Sequence, residues 1–154
     1  GVLGDGWWLS PDSQAKPQTR AFVDAYRQRF NEYPVFGSFK MANSLHAFKA
    51  VYDRALTATK DRWPTRDDLI AGAKNLKTDT LTGTLALRDD NDGLVDQIVG
   101  VTARDSRYSF PVMGGMVRYP AGLVTPPTGV DPIAWIGELK PAVLSSVPKP
   151  GSYK

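Results

Sequence analysis

His46 is the only histidine in the chain, and cysteine is absent, so a histidine-dependent hydrolase would have to build its proton relay on this one imidazole. Helical spacing puts His46 about 100° around from Leu45, off the apolar stripe of its segment and facing solvent or a polar edge, the ordinary place of a histidine without chemistry. No Gly-x-Ser-x-Gly elbow accompanies it, and without cysteine there is no disulfide, thiolate metal site or cysteine nucleophile. The acidic run Asp89-Asp90-Asn91-Asp92 invites a calcium reading, yet an EF-hand loop would need an acid at Arg88 and a bidentate Glu at Val99. It fails at both ends and reads as a solvated hairpin turn, with Gly93 expected at positive φ. Gly4-Asp5-Gly6 lacks the third glycine and following helix of a dinucleotide fingerprint, and Gly114-Gly115 lacks the Lys-Ser/Thr of a phosphate loop. Carboxylates such as Asp89 or Asp105 can perform acid/base work without histidine, but nothing in the sequence pairs them.

The aromatic residues Trp7, Trp8, Phe36 and Phe39 fall in loops or at a helix start. Loops on a rigid scaffold present large amphipathic rings to ligands, so Trp7, Trp8 and Phe36 are candidate ligand contacts. Core packing or a hinge plug accounts for each ring equally well.

The elements that would position these rings follow from composition and periodicity. A chain of 154 residues is long enough for one domain with a real core. Its 42% hydrophobic and 23% charged residues are those of a globular protein rather than a disordered one. The net charge of +3, from 19 basic and 16 acidic residues, is spread without the blocks that would mark a nucleic-acid or anionic-lipid partner. No stretch approaches the roughly 20 apolar residues of a membrane span. Gly1-Val2-Leu3-Gly4, without Met or the basic and apolar regions of a signal peptide, reads as the end of a buried strand in a longer protein.

Pro17 suits the first turn of a helix carrying Phe22, Val23, Tyr26 and Phe30, and Tyr33-Pro34 stops it. A second helix is expected from about Ser38 to Thr59, burying a stripe of Met41, Leu45, Phe48, Tyr52 and Leu56. Thr65 with Asp68 opens a third through a capping box, with Leu69, Ile70, Ala73 and Leu76 on its apolar side. From Thr80 the period becomes two, predicting a strand through Leu81, Gly83, Leu85 and Leu87. Further strands are expected over Val95 to Thr102 and Tyr108 to Tyr119. After Pro120 proline and glycine dominate, predicting an extended tail with a helical turn only at Ile133 to Leu139.

The order of these segments resembles a known family. Phe22-Val23 and Tyr26, followed by Phe30-Asn31 and Pro34, resemble a helix of the branched-chain amino acid-binding periplasmic proteins of ABC importers. Met41 to Ala55 takes the place of that family's next helix, with Met41-Ala42-Asn43 where Tyr-Asp-Ala is usual. Thr65-Arg66-Asp67-Asp68-Leu69 is similar to the following helix start, and Leu81 to Leu87 with Asp92-Gly93 to its strand and hairpin. The likeness covers about residues 15 to 110.

The resemblance implies an α/β fold, the C-terminal part of a two-lobed type I periplasmic binding protein. Its lobes are Rossmann-like, with parallel sheets flanked by helices and joined by hinge strands. Residues 1–120 would include the last hinge crossing, and 121–154 the Pro/Gly-rich tail. It implies a binding protein rather than an enzyme, without cofactor or metal, periplasmic or otherwise extracytoplasmic. It would capture a small organic solute and dock on a membrane permease, with the upstream part of the same protein completing the fold and no nucleic acid involved. Phe36 matches a position where family members place an aromatic against the ligand, and Trp7 and Trp8 fall near the hinge crossing and cleft mouth. A ligand-sensing regulator of the same fold is the alternative, ahead of a carboxylate-dependent hydrolase.

Overall fold

The computed structural model describes residues 2–3, 7–60 and 62–138. The chain divides into two compact units, one formed by residues up to Phe36 together with those from Asp96 onward, the other by Gly37 to Val95.

In the first unit, strand β1 (Val2–Leu3) is followed by a 3-10 turn (Trp7–Leu9) and helices α1 (Pro11–Ala15) and α2 (Pro17–Phe30). Ser10 caps α1 by accepting the Ser13 N–H at 3.2 Å, and both serines are buried. Pro17 opens α2 as its spacing predicts. The helix closes on Asn31, whose φ of 54° is left-handed and whose N–H donates to the Arg27 carbonyl at 2.8 Å. The chain returns as β5 (Gln97–Ala103) and β6 (Val112–Tyr119), which with β1 make a three-stranded sheet in the order β1-β5-β6.

Val99 pairs with Val117 and Val101 with Gly114, so Gly115 and Met116 together face the single residue Gly100. Gly115 takes the left-handed conformation (φ 54°) that such a bulge favours in glycine. Asp96 accepts from the Arg118 Nε at 2.8 Å and the Ala121 N–H at 2.9 Å, fastening the single turn α5 (Ala121–Val124) to the end of the ribbon. Helix α6 (Pro132–Glu138) follows where a helical turn is expected, and residues from Leu139 on lie outside the described residues. The turn α5 is a departure from the extended tail predicted after Pro120.

The second unit holds α3 (Phe36–Ala58), apart from its first residue, with α4 (Arg66–Ala73) and a second three-stranded sheet, β2 (Lys77–Thr80), β3 (Gly83–Leu87) and β4 (Gly93–Leu94). Every strand pairing among the described residues is antiparallel, in contrast to the parallel sheets the resemblance implies. The short connections from β2 to β3, β3 to β4 and β5 to β6 leave no room for the crossover that parallel pairing needs.

Three further expectations are corrected here. Helix α3 buries Phe39, Asn43, Ala47, Val51 and Ala55, and leaves Met41 (63% exposed), Leu45 and Phe48 facing out. At Val51 and Ala55 the buried row is small because α4 comes close: a Cβ on Gly72 would stand 3.0 Å from the Val51 carbonyl oxygen and 3.4 Å from the Ala55 Cβ. The strand expected through Leu81 is instead a hairpin with Leu81-Thr82 as its turn, both buried. Gly93 does not have positive φ; it pairs with Leu87 as the first residue of β4, and Asn91 takes the left-handed position at φ 72°. Asparagine tolerates that region through its short polar side chain, so Gly93→Val carries no backbone penalty of this kind.

The capping box at Thr65 is present, with the Thr65 hydroxyl accepting the Asp68 N–H and the Asp68 carboxylate accepting the Thr65 N–H at 2.8 Å. The Thr65 hydroxyl and then the Thr65 N–H, with Arg62 behind them, hold the Asp68 carboxyl at about 2, below its ordinary 3.8. A carboxyl depressed on folding contributes stability above its unfolded value and loses it as pH falls toward its folded value. The melting temperature of the protein is therefore expected to drop between about pH 4 and pH 2, and to drop less in Asp68→Asn. Parallel acid melts of the two proteins would count against this box.

Candidate functional site

The first unit carries a cleft of about 730 Å³, within the range of small-molecule sites. Its rings are set by local chain geometry. Trp7 is only 5% exposed and Leu9 is buried, so the 3-10 turn is anchored through these two and presents the half-buried Trp8 to the cleft. After the left-handed Asn31, the buried Pro34 favours extended backbone at Tyr33. There the Tyr33 ring stacks on Trp8, with centroids 4.2 Å apart and planes 19° from parallel.

The loop between β5 and β6 adds two rings. Tyr108 meets Trp8 edge-on at 5.1 Å and Tyr33 at 5.6 Å; Phe110 meets them at 6.4 and 5.7 Å. Stacked and edge-on contacts of this kind are the favoured aromatic geometries. Thr102 and Met113, paired across β5 and β6, supply part of the wall, and Phe110, 41% exposed, stays open to a ligand.

Among the described residues lining this cleft, Glu32 carries the one formal charge, and Asn31, Thr102 and Ser109 are polar and neutral. Three guanidinium groups stand near the rings, those of Arg27, Arg107 and Arg104, the last lining a neighbouring pocket with Tyr108, Ser109 and Phe110. The Arg27 Cζ lies 4.4 Å from the Tyr33 centroid, and since Trp8 stacks on one face of that ring, Arg27 takes the other. Arg107 pairs with Asp105 at 2.6 Å. Its side chain first, then its backbone N–H, hold the Asp105 carboxyl down at about 2.

A carboxyl at that value is a weak base near neutrality and has no proton to give, so Asp105 is poorly suited to general acid or base work. Around Asp89 the contacts are those of a hairpin turn: the Lys74 ammonium donates to the Asp89 carbonyl and to the Asn91 Oδ1. His46 is exposed. No group of three or more His, Asp or Glu residues able to hold a metal occurs among the described residues, and none of their helices is long and apolar enough to cross a membrane.

Two solved structures share this architecture. One is an ABC-type branched-chain amino acid transporter from Rhodopseudomonas palustris CGA009, with a TM-score of 0.58 and 18% identity over 70% of the present chain. The other is a solute binding protein of an ABC transporter from Rhodopseudomonas palustris BisB5, in complex with 3,4-dihydroxy benzoic acid, with a TM-score of 0.51 and 19% identity over 71%. The chain has the fold of the ABC-transporter solute-binding proteins. It spans 28% of the length of each of these two. No protein-family model matches it, and no curated protein matches its sequence.

Within this fold the aromatic residues singled out from sequence have different places. Trp8 lines the cleft. Trp7 lies buried beside it. Phe36, 41% exposed, is the first residue of α3 and follows Val35, which lines the cleft, without itself being part of the lining. Phe39 belongs to the core of the second unit. Gly4-Asp5-Gly6 lies outside the described residues. Tyr33, Glu32 and Phe110 were not anticipated as site residues. The available signal was an aromatic residue followed by proline at the edge of an element, Tyr33-Pro34 and Phe110-Pro111, where a ring is held at a chain reversal rather than within a core stripe.

Proposed function

We propose that this chain is part of the solute-binding component of an ABC importer. In this reading the protein works outside the cytoplasm, captures a small organic solute such as an amino acid, an amide or a related compound by closure of two lobes, and delivers it to a membrane permease. The observation that carries the reading is a ring-lined cleft of small-molecule size within a fold shared with two ABC-transporter proteins. One of these is named for branched-chain amino acids and the other was solved with an aromatic acid, which supports the solute class. Trp8 is the sequence candidate placed against the solute, with Trp7 as its support and Phe36 as a contact made in the closed form.

The exposed stripe of Met41, Leu45, Phe48 and Trp63 supports the view that further parts of the same protein cover α3, since contiguous apolar patches on a free surface mark interaction sites. Ligand that binds only the folded state raises its stability by about 2.7 kcal/mol at a hundredfold excess over Kd. Thermal melts of the full-length protein with amino acids, amides and aromatic acids should therefore show an upward shift with at least one class, and a Trp8 emission change should titrate with it. A panel that leaves every melt unchanged defeats the proposal.

A further inference from the structure

The turn between β3 and β4 ends in Asp92-Gly93, the one Asp-Gly bond among the described residues. In such a pair the main-chain nitrogen after the aspartate can attack the aspartate's own side-chain carboxyl, because glycine has no Cβ to crowd that nitrogen. Whether a fold permits the reaction depends on what holds the two groups. The Arg88 N–H donates to the Asp92 carbonyl at 2.8 Å, which makes Arg88 and Asp92 a hydrogen-bonded pair of the antiparallel ladder. The next pair, Leu87 and Gly93, is then a non-bonded one, and the Leu87 N–H turns the other way, to the Leu76 carbonyl at 2.7 Å. The Gly93 N–H therefore points away from β3, toward the outer edge of a sheet in which β4 is the last strand. Gly93 itself is exposed.

The carboxyl is as loosely held as the nitrogen. The Arg88 Nε donates to both oxygens of Asp90, at 2.9 and 3.0 Å, while the guanidinium stands 3.8 Å from the Asp92 Oδ2 and leaves that side chain 58% exposed. Asp105, followed by Ser106, is the contrast, since its oxygens accept the Arg107 N–H at 2.9 Å and the Arg107 guanidinium at 2.6 Å. We infer that Asp92-Gly93 is a site of spontaneous isomerisation, a covalent modification that stands apart from the solute-binding reading. The Gly93 nitrogen bonds to the Asp92 Cγ, and its proton leaves with the carboxyl hydroxyl as water. Water then opens the cyclic imide at either of its carbonyls. Opening at the main-chain carbonyl restores the original mass, but the chain now runs through the Asp92 side chain and is longer by a methylene. The carbonyl that accepted the Arg88 N–H becomes a free carboxylate, so the modification undoes the bond that closes the hairpin.

The test ages the full-length protein at neutral pH and follows its tryptic peptides. An isoaspartyl methyltransferase with S-adenosylmethionine labels the rearranged carboxylate, the imide is read as the loss of a water, and electron-transfer fragmentation assigns the residue. Label is expected to accumulate at Asp92 in peptide 89–104, with Asp89, Asp90 and Asp96 of the same peptide and Asp105 of the next unlabelled. Asp5-Gly6, outside the described residues, falls in the separate peptide 1–16. The folded protein should react less than about tenfold slower than the free peptide 89–104, because greater protection would mean that the reaction waits on local opening. Gly93→Val puts a β-branched side chain beside the nitrogen, in space where a Cβ has only the Leu87 Cδ2 within reach, at 3.9 Å. It should slow labelling by about tenfold at an unchanged melting temperature. Protection beyond tenfold in the folded protein overturns the inference, as does label that reaches Asp105 before Asp92, or a Gly93→Val protein labelled as fast as the parent.

Discussion

Asn43→Ala is expected to destabilise the protein by about 2 to 3 kcal/mol, more than any exposed substitution on the same helix. The Asn43 carboxamide is buried on the inner row of α3 and joins that helix to the turn between β2 and β3. Its Oδ1 accepts the Leu81 N–H at 3.1 Å, and its Nδ2 donates to the Thr82 hydroxyl at 2.7 Å. Leu81 and Thr82 are themselves buried, so alanine withdraws a partner from two polar groups that water reaches poorly, and such groups cost far more to strand than a surface hydrogen bond is worth. Thr82→Val removes only the hydroxyl and should cost about 1 kcal/mol. The double variant should then cost less than the sum of the single ones, since both report on one contact. Chemical denaturation of the four proteins gives the cycle. An Asn43→Ala midpoint equal to that of the parent would show that the amide does not hold the hairpin.

The same residue marks where the sequence could and could not be read. Three helix boundaries were legible because their signals are local: Pro17 at a first turn, Thr65 with Asp68 at another, Tyr33-Pro34 after an end. Which face of α3 lies inside was not. Periodicity weights large apolar residues, and Met41, Leu45 and Phe48 outweigh Asn43, Ala47 and Ala55 on any such count. The inner face is decided by approach distance instead, since Gly72 brings α4 against the backbone at Val51 and only small residues fit between. That contact joins residues far apart in the chain and leaves no local pattern. The hairpin at Leu81-Thr82 was missed for a related reason. Two buried residues continue the alternation of the flanking strands, and the polar group that turns the chain there is Asn43, from another element.

The cleft was legible in part. Trp7, Trp8 and Phe36 stand out alike in the sequence, and of the three only Trp8 lines the cleft, whereas Glu32 and Phe110 join the lining only because the chain brings Asn31 to Val35 next to the β5–β6 loop. Single-residue reasoning cannot see a wall assembled from three segments. Residue types alone do exclude the chemistry of cysteine and of paired histidines.

Gly100→Ala is expected to produce a loss of comparable size together with a change in the cleft. Gly100 is the single residue facing the bulged pair Gly115 and Met116, and the two strands are pressed together there. A Cβ at this position would overlap the Met113 Cγ and stand 2.8 Å from the Gly114 carbonyl oxygen. The Met113 side chain is flexible and can swing away, but a backbone oxygen within a paired strand cannot do so without moving the ribbon. Overpacking of this kind costs about 1 to 3 kcal/mol, and the rigid half of the clash argues for the upper part of that range. Truncating the other partner separates the two contributions. Met113→Ala carries its own cost as a buried residue, but the penalty of Gly100→Ala measured on the Met113→Ala background should lose the part due to the side chain and keep the part due to the Gly114 oxygen. Val101→Ala, exposed on the neighbouring position, should stay within about 0.5 kcal/mol of the parent. Because Met113 also lines the cleft, any displacement that accommodates the new methyl group reshapes the wall opposite Trp8, and solute affinity should fall along with the melting temperature. Gly100→Ala with parental stability would mean that the ribbon opens freely at the bulge. A stability loss with unaltered affinity would mean that the wall at Met113 does not touch the solute.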